Sequence, residues 1–270
     1  AHPAVRKLSF TGGARTGREV VRSAAENFKT VVLELGGNDA ANLLDDVVVD
    51  DQLAAALIEA SLSTTGQICM AAKRIYVASS RFDEVVDAYT EAASHIVVGD
   101  GMDPSVTMGP LVNATQADRF DGIVRDALDR GGVVREVGSL APGLDPEGHF
   151  RLPHIVTGLD PSAQLVRDEQ FGPATPFIPF DDVDDAVAQA NDTEFGLGGS
   201  VWSADVERAR AVARRVEAGM VFINRHNVPA VHPLGIFGGV KQSGIGRELG
   251  RWGIESYTET CEIVDPAPPA

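Results

Sequence analysis

Cysteine is nearly absent: Cys69 and Cys261 are the only two in 270 residues. They allow one bridge at most, and neither stands in a metal-ligand spacing. A disulfide scaffold and a cysteine-based metal module are therefore excluded, and a reducing, cytoplasmic compartment is expected. Basic residues are also scarce, with 23 Lys and Arg against 39 Asp and Glu and a formal net charge of −16. Nucleic-acid phosphates select a basic footprint, and an anionic lipid surface repels an acidic chain, so neither is an expected partner. No apolar run approaches the roughly 20 residues that span a bilayer. The opening AHPAVRKLSF lacks the apolar centre of a signal peptide. Two glycosylation-type triplets, Asn113-Ala114-Thr115 and Asn191-Asp192-Thr193, stand without any other secretory feature. The 28 Gly and 15 Pro follow no period, which excludes collagen-like and low-complexity chains.

What is present is an alternation of strand-like and helix-like periods. Val5–Phe10 and Thr30–Leu35 read as strands around a helix at Thr16–Asn27. Ala41–Leu44 is a short apolar run, Asp50–Ser63 an acid-opened helix, Ile75–Ala78 a strand, and Asp83–Ile96 a helix that Ser80 can cap. Thr115–Arg130 reads as a helix stopped by Gly131-Gly132, Val133–Val137 as a strand, and Leu140–His149 as a surface loop. Strands at Phe177–Phe180, Gly199–Trp202 and Met220–Ile223 alternate with helices at Val183–Ala190 and Ser203–Val216. Pro229–Gly253 is Gly-rich and irregular, Glu255–Val264 predicts a late strand, and the tail PAPPA predicts a mobile end. This order predicts an α/β fold with a mostly parallel sheet. Parallel strands are flanked on both sides. The opening segment is therefore expected to finish a domain that begins elsewhere, leaving Val5–Phe10 and Thr30–Leu35 without sheet neighbours.

Five motifs could carry chemistry. Gly12-Gly13, between a strand and a helix, departs from the dinucleotide fingerprint at Ala14, and no Gly-Lys-Ser/Thr follows. Its backbone N–H groups either hold phosphate or simply turn the chain. In Gly66-Gln67-Ile68-Cys69 the thiol is either a reactive thiolate on a Gly-led turn or a small buried hydrophobe. Glu34 lies among Val31, Val32, Leu33 and Leu35, which suggests burial on both strand faces. Apolar surroundings raise a carboxyl pKa and suit a general base near neutral pH. Glu169-Gln170-Phe171-Gly172-Pro173 offers an acid for sugar hydroxyls and a ring for a flat heterocycle, or a turn with a core Phe. His226 and His232 flank Pro229 and read as surface or turn histidines. No cluster has metal spacing, and no Ser-His-Asp set is suggested.

Together and in this order, the motifs resemble the NAD(P)-dependent aldehyde dehydrogenase superfamily. The matching segments are Phe10-Thr11-Gly12, Leu33–Gly37, Gly66–Cys69, Met108-Gly109-Pro110, Glu169–Pro173, Asn191–Gly196 and Phe237–Glu248. The resemblance implies an aldehyde dehydrogenase-like catalytic α/β domain plus a β-α-β remnant of a Rossmann-like cofactor domain. It implies oxidation of a small-molecule aldehyde to a carboxylic acid with NAD or NADP, by a homo-oligomer. Cys69 matches the nucleophile that forms a thiohemiacetal and then a thioester, and its backbone N–H matches half of the oxyanion hole. Glu34 matches the base for the hydrolytic water. Glu169 matches the residue on the nicotinamide ribose, Phe171 a ring beside the nicotinamide, and Thr11, Gly12 and Gly13 the turn approaching the cofactor.

The match reaches only the C-terminal half of the family pattern. The other half carries most of the cofactor domain, an Asn of the oxyanion hole and a Lys that contacts the cofactor. Gly13 stands where Ser is frequent, and Asn38-Asp39 follow the Gly pair where Lys is common. The expected division is 1–36 as cofactor-domain remnant, 37–236 as catalytic domain, and 237–270 as a crossing segment ending in an oligomerisation strand. Three functions stay open: half of an aldehyde dehydrogenase, weakly active or inactive alone; a non-catalytic binding or assembly module; and a cofactor-independent thiol esterase using Cys69 and Glu34. Cys69 is expected to react with iodoacetamide before Cys261.

Overall fold

The computed structural model describes residues 2–266; residue 1 and residues 267–270, with most of the PAPPA tail, lie outside the described residues. The chain opens with β1 (Lys7–Thr11), α1 (Ala14–Ala25) and β2 (Thr30–Glu34). It continues through β3 (Asp39–Leu43), α2 (Asp51–Leu62), β4 (Ala72–Ala78), α3 (Phe82–Ser94), β5 (Val97–Val98), α4 (Ala114–Asp129), β6 (Val133–Glu136) and β7 (Ser139–Leu140). Then come β8 (His154–Thr157), α5 (Gln164–Arg167), β9 (Ala174–Phe180), α6 (Val183–Asn191), β10 (Gly198–Trp202), α7 (Val206–Ala213) and β11 (Met220–Ile223). The last elements are β12 (Gly244–Ile245) and α8 (Gly250–Glu255).

A seven-stranded sheet runs in the order β11-β10-β3-β4-β9-β8-β6. Its pairs are parallel except β6 with β8. The apolar runs of its central strands follow from helices on both faces. Alternate side chains go to opposite layers. Ala41, Leu43, Ile75 and Val77 pack with Leu57 of α2 and Val85 and Tyr89 of α3. Ala40, Leu44, Tyr76 and Ala78 pack with Val187 of α6 and Val212 of α7. Side-chain caps start the helices: Asp50 accepts from the Leu53 N–H at 2.8 Å, and Asn113 from the Gln116 N–H at 3.0 Å.

A second sheet, β1-β2-β12, holds the opening segment. β1 and β2 are parallel, and β12 returns from the C-terminal region antiparallel to β2. Thr30–Leu35 is therefore flanked on both sides, contrary to expectation, and among the described residues β1 has no strand on its outer edge. The return needs glycine. Gly244 has φ +150°, and a Cβ there would overlap the Leu33 carbonyl.

Other expectations also change. Ser80 does not cap α3, because Ser79–Arg81 forms a 3-10 turn and places Arg81 at the N-cap without a side-chain bond. Ser203–Val216 shortens to α7, since Asp205 caps at the Glu207 and Arg208 N–H groups. β8 falls where no strand was expected; it joins β6 to β9 and closes one end of the large sheet. The late strand at 255–264 is not formed: α8 ends at Glu255, and residues 259–266 are exposed and irregular. An extended segment without a partner strand cannot satisfy its backbone groups in a ladder. Among the described residues, no helix is long and apolar enough to cross a membrane.

Candidate active site

Three turns that lead into strands of the large sheet meet at one place. Leu35-Gly36-Gly37 leads from β2 to β3, the Gly66–Cys69 turn precedes β4, and Glu169–Pro173 precedes β9. Close approach explains their glycines. A Cβ on Gly36 would lie 2.5 Å from Glu169 Oε2, and one on Gly37 would overlap the Cys69 carbonyl. Gly66, at φ +69°, packs against the Gly172 carbonyl. The turns and the β1–α1 corner wall a cavity of about 530 Å³. Cys69, Glu169, Phe171, Thr11, Gly12 and Gly13 all line it, with Gln116 and Arg119 from α4. The structure thus gathers every sequence-selected site residue except Glu34 around one cavity.

Cys69 is half-buried in a tight turn closed by the Ala71 N–H donating to the Ile68 carbonyl at 3.2 Å. Thr64 and Thr65 ahead of it hold φ of 52° and 61°, a left-handed region costly for β-branched residues. Thr65 Oγ1 donates to the Gly109 carbonyl, and Gln67 reaches the Pro110 carbonyl, so the Met108-Gly109-Pro110 motif braces this turn. Burial, with Asp39 and then Glu169 nearby, pushes the Cys69 thiol up to about 11; the Met70 N–H and Lys73 act in the opposite direction. Of the two alternatives left by the sequence, this favours the thiol over the thiolate.

Lys73 was not singled out from sequence, although a lysine entering an apolar strand is itself a signal. It is fully buried; Nζ donates to the Gly66 carbonyl at 2.5 Å and lies 5.3 Å from the Phe171 ring centroid. Burial draws its pKa down to about 8, against the nearby Glu169, Asp39 and Cys69. Glu169 accepts from the Gly37 N–H at 3.1 Å, and burial raises its pKa despite Lys73, that N–H and Arg119.

Glu34 is buried on β2, as its neighbours suggested, and neither carboxylate oxygen has a hydrogen-bond partner among the described residues. Burial, reinforced by Glu248 and opposed by Arg247, lifts its pKa to about 7. Glu34 is not among the residues that line the cavity, and its Oε1 lies 2.7 Å from where a Cβ on Gly238 would stand. The Phe237–Glu248 motif therefore forms the other wall around Glu34. Ser243 anchors that segment, its Oγ accepting from the Gly196 N–H at 2.9 Å and its carbonyl from the Leu35 N–H at 2.9 Å.

Three further residues lie deeper than their sequence suggested. Asn38 is buried, and its Nδ2 donates to the Val166 carbonyl at 2.9 Å, while Asp39 Oδ1 accepts from the Gly198 N–H at 3.1 Å. His232 is exposed as expected, but His226 is 4% exposed and sits beneath the Cys69 turn.

The model of the Aldehyde dehydrogenase family matches residues 1–263. A succinate-semialdehyde dehydrogenase [NADP(+)] of Deinococcus radiodurans is 42% identical over 96% of this chain and 53% of its own. A benzaldehyde dehydrogenase of Bacillus subtilis is 37% identical over 95% of this chain and 51% of its own. Among solved structures, an aldehyde dehydrogenase C mutant from Pseudomonas syringae with NAD+ and octanal superposes with a TM-score of 0.90 at 36% identity, covering all of this chain and 55% of that one. The chain spans about half the length of the curated relatives it matches. With the family model running over nearly the whole sequence and the motif turns meeting at one cavity, the chain belongs to the aldehyde dehydrogenase family.

Proposed function

We propose that this chain is the C-terminal, catalytic half of an aldehyde dehydrogenase that oxidises an aldehyde to a carboxylic acid with NAD or NADP. The observation that carries the reading is the meeting of Cys69, Glu169, Phe171 and the Thr11–Gly13 turn on one cavity. In this reading residues 1–36 finish the cofactor domain, 37–236 form the catalytic domain, and 237–270 cross back. The pairing of β12 with β2 supports the crossing.

The residues fit the nicotinamide end of a dinucleotide. A carboxylate fixed by the Gly37 N–H suits ribose hydroxyls, and a ring backed by the Lys73 ammonium suits a flat heterocycle. When bound, the nicotinamide supplies a hydride acceptor. The Cys69 sulfur gives its proton to solvent water and adds to the aldehyde carbonyl, whose oxygen takes the electron pair as an oxyanion that the Cys69 N–H faces. Loss of hydride from that thiohemiacetal leaves a thioester. Glu34 takes a proton from water, whose oxygen attacks the thioester and releases the acid and the thiol. This last step requires the Glu34 carboxylate to turn from Gly238 toward the cavity that its neighbours Leu35 and Gly36 line. The aldehyde is of small-molecule size, and the working assembly pairs this chain with a cofactor-domain half within a homo-oligomer.

The test is complementation. Co-expression with the N-terminal half of a relative should give aldehyde-dependent NAD(P)H formation that vanishes in Cys69→Ala. Alone, the chain lacks an oxyanion donor worth about 10²–10³ in rate and should turn over poorly. A folded complemented assembly without that activity would overturn the reading. Slow hydrolysis of an activated ester by the chain alone, lost in Cys69→Ala, is the residual activity expected on this reading; ester hydrolysis by a folded complemented assembly that forms no NAD(P)H would favour the thiol esterase.

A further inference from the structure

His226 lies outside the cavity, yet its ring belongs to a hydrogen-bond chain ending at the residue after Cys69. Its side chain is wholly buried. Nδ1 lies 2.8 Å from Ser200 Oγ, and Nε2 lies 2.9 Å from the Met70 carbonyl oxygen. Ser200 Oγ also accepts from Trp202 Nε1 at 2.8 Å.

Donor counting fixes the proton positions. The indole N–H can only donate, so Ser200 Oγ accepts there. The remaining Ser200 hydroxyl hydrogen has Nδ1 as its acceptor among the described residues, which makes Nδ1 the unprotonated nitrogen. Nε2 then carries the hydrogen, matching the carbonyl it faces. An imidazolium would strand the buried Ser200 O–H without an acceptor, at the cost of an unmade hydrogen bond. Two further groups face the ring. Asp39 Oδ2, from β3, is 3.5 Å from Nε2, and the Phe222 ring, from β11, is tilted 5.7 Å away.

We propose that His226 is a positioning residue for the Cys69 nucleophile: held as the Nε2–H tautomer by Trp202 and Ser200, it clamps the Met70 carbonyl and fixes the turn that presents the sulfur. The adjoining Asn227 grips the other end of the same segment. Its Nδ2 donates to the Glu59 and Ala60 carbonyls, at 3.2 and 3.1 Å, near the end of α2. The Cys69–Met70 peptide is trapped between Gly37, packed on the Cys69 carbonyl, and His226, bonded to the Met70 carbonyl. Two peptide planes are thereby fixed, and the Met70 N–H keeps its place near the sulfur, where it favours the thiolate. The inference rests on the reading of Cys69 as nucleophile, but its test needs neither cofactor nor aldehyde turnover.

The experiment uses the full chain with Cys261→Ser, so that alkylation reports Cys69. Long-range proton–nitrogen correlation spectra of the labelled protein at neutral pH should show His226 as the neutral Nε2–H tautomer. The Nδ1–H tautomer or an imidazolium would overturn the proposal. The pH profile of iodoacetamide alkylation should move to higher pH in His226→Leu, with the rate at fixed pH falling about fivefold to tenfold, a partial loss of one charge-assisted hydrogen bond. His226→Gln, whose amide can still donate to the Met70 carbonyl, should recover most of that rate. If His226→Leu does not fold, Ser200→Ala removes the tautomer anchor at smaller cost and should shift the profile in the same direction. An unchanged profile in a folded variant, or equal loss in the Leu and Gln variants, would overturn the proposal. A shifted profile in a chain that never acquires dehydrogenase activity would overturn the functional reading and leave this one standing.

Discussion

Glu34→Gln should stabilise this protein at alkaline pH and do little in acid. The carboxyl is buried, has no hydrogen-bond partner among the described residues, and has its pKa raised from 4.5 to about 7. A raised carboxyl pKa means that the folded state holds its proton more tightly than the unfolded chain. Stability is therefore complete below the unfolded value near 4.5 and is lost as pH rises through 7. The rise of about 2.5 units, at 1.36 kcal/mol each, sets a ceiling of about 3 kcal/mol lost by pH 8 and about 1 kcal/mol by pH 5. Gln has the same shape and no charge, so the variant should recover these amounts: about 3 kcal/mol at pH 8, shrinking to about 1 at pH 5. Urea unfolding of both proteins at four pH values between 5 and 8 measures the difference directly. A difference that does not grow with pH, or a variant less stable at pH 8, would refute the account of Glu34 as a carboxyl strained by burial. Glu248→Gln should lower the Glu34 pKa and reduce the effect, because the Glu248 charge is the second cause of the shift.

The thiol expectation reverses: at pH 7 a thiol of pKa about 11 is ionised in about one molecule in 10⁴, so iodoacetamide should reach exposed Cys261 first and Cys69 mainly above pH 9. Peptide mapping that finds Cys69 labelled first at pH 7 would contradict the burial argument. Lys73→Met should slow Cys69 alkylation further, since it removes the cation that opposes Asp39 and Glu169; alkylation at the wild-type rate would exclude that role. Among the described residues the outer edge of β1 has no strand beside it, so the chain should self-associate there. Light scattering should show defined oligomers, and Ser9→Pro on that strand should reduce them; a monomer at every concentration would show the edge to be inert.

Much of the site was readable because its motifs are local. A Gly pair after an apolar strand, a Cys on a Gly-led turn and an acid–aromatic–Gly-Pro turn each declare themselves within five residues, and the large sheet brings them to one cavity. The alternation of apolar residues likewise announced a sheet covered on both faces. What escaped is long-range. His226 meets Met70 across 156 residues of sequence, and nothing near His226 distinguishes it from the exposed His232. β12 is two residues long and exists because Gly244 can approach Leu33. The late strand is not formed for the converse reason: Ile263 and Val264 have strand propensity, but a strand is a pairing, and among the described residues no partner lies beside them. Between the reactive thiolate and the buried thiol that the sequence left open, the electrostatics of Cys69 favour the thiol. Exposure on a turn argued for ionisation, but three contributions that raise the pKa (burial, Asp39 and Glu169) outweigh the Met70 N–H and Lys73. Asp39 was visible in the sequence as a departure from the usual Lys after the Gly pair, yet its consequence depends on its place beside the sulfur. The same balance acts on Glu34 and Lys73, which are drawn to about 7 and about 8. Burial thus moves the acid, the thiol and the amine together toward their neutral forms.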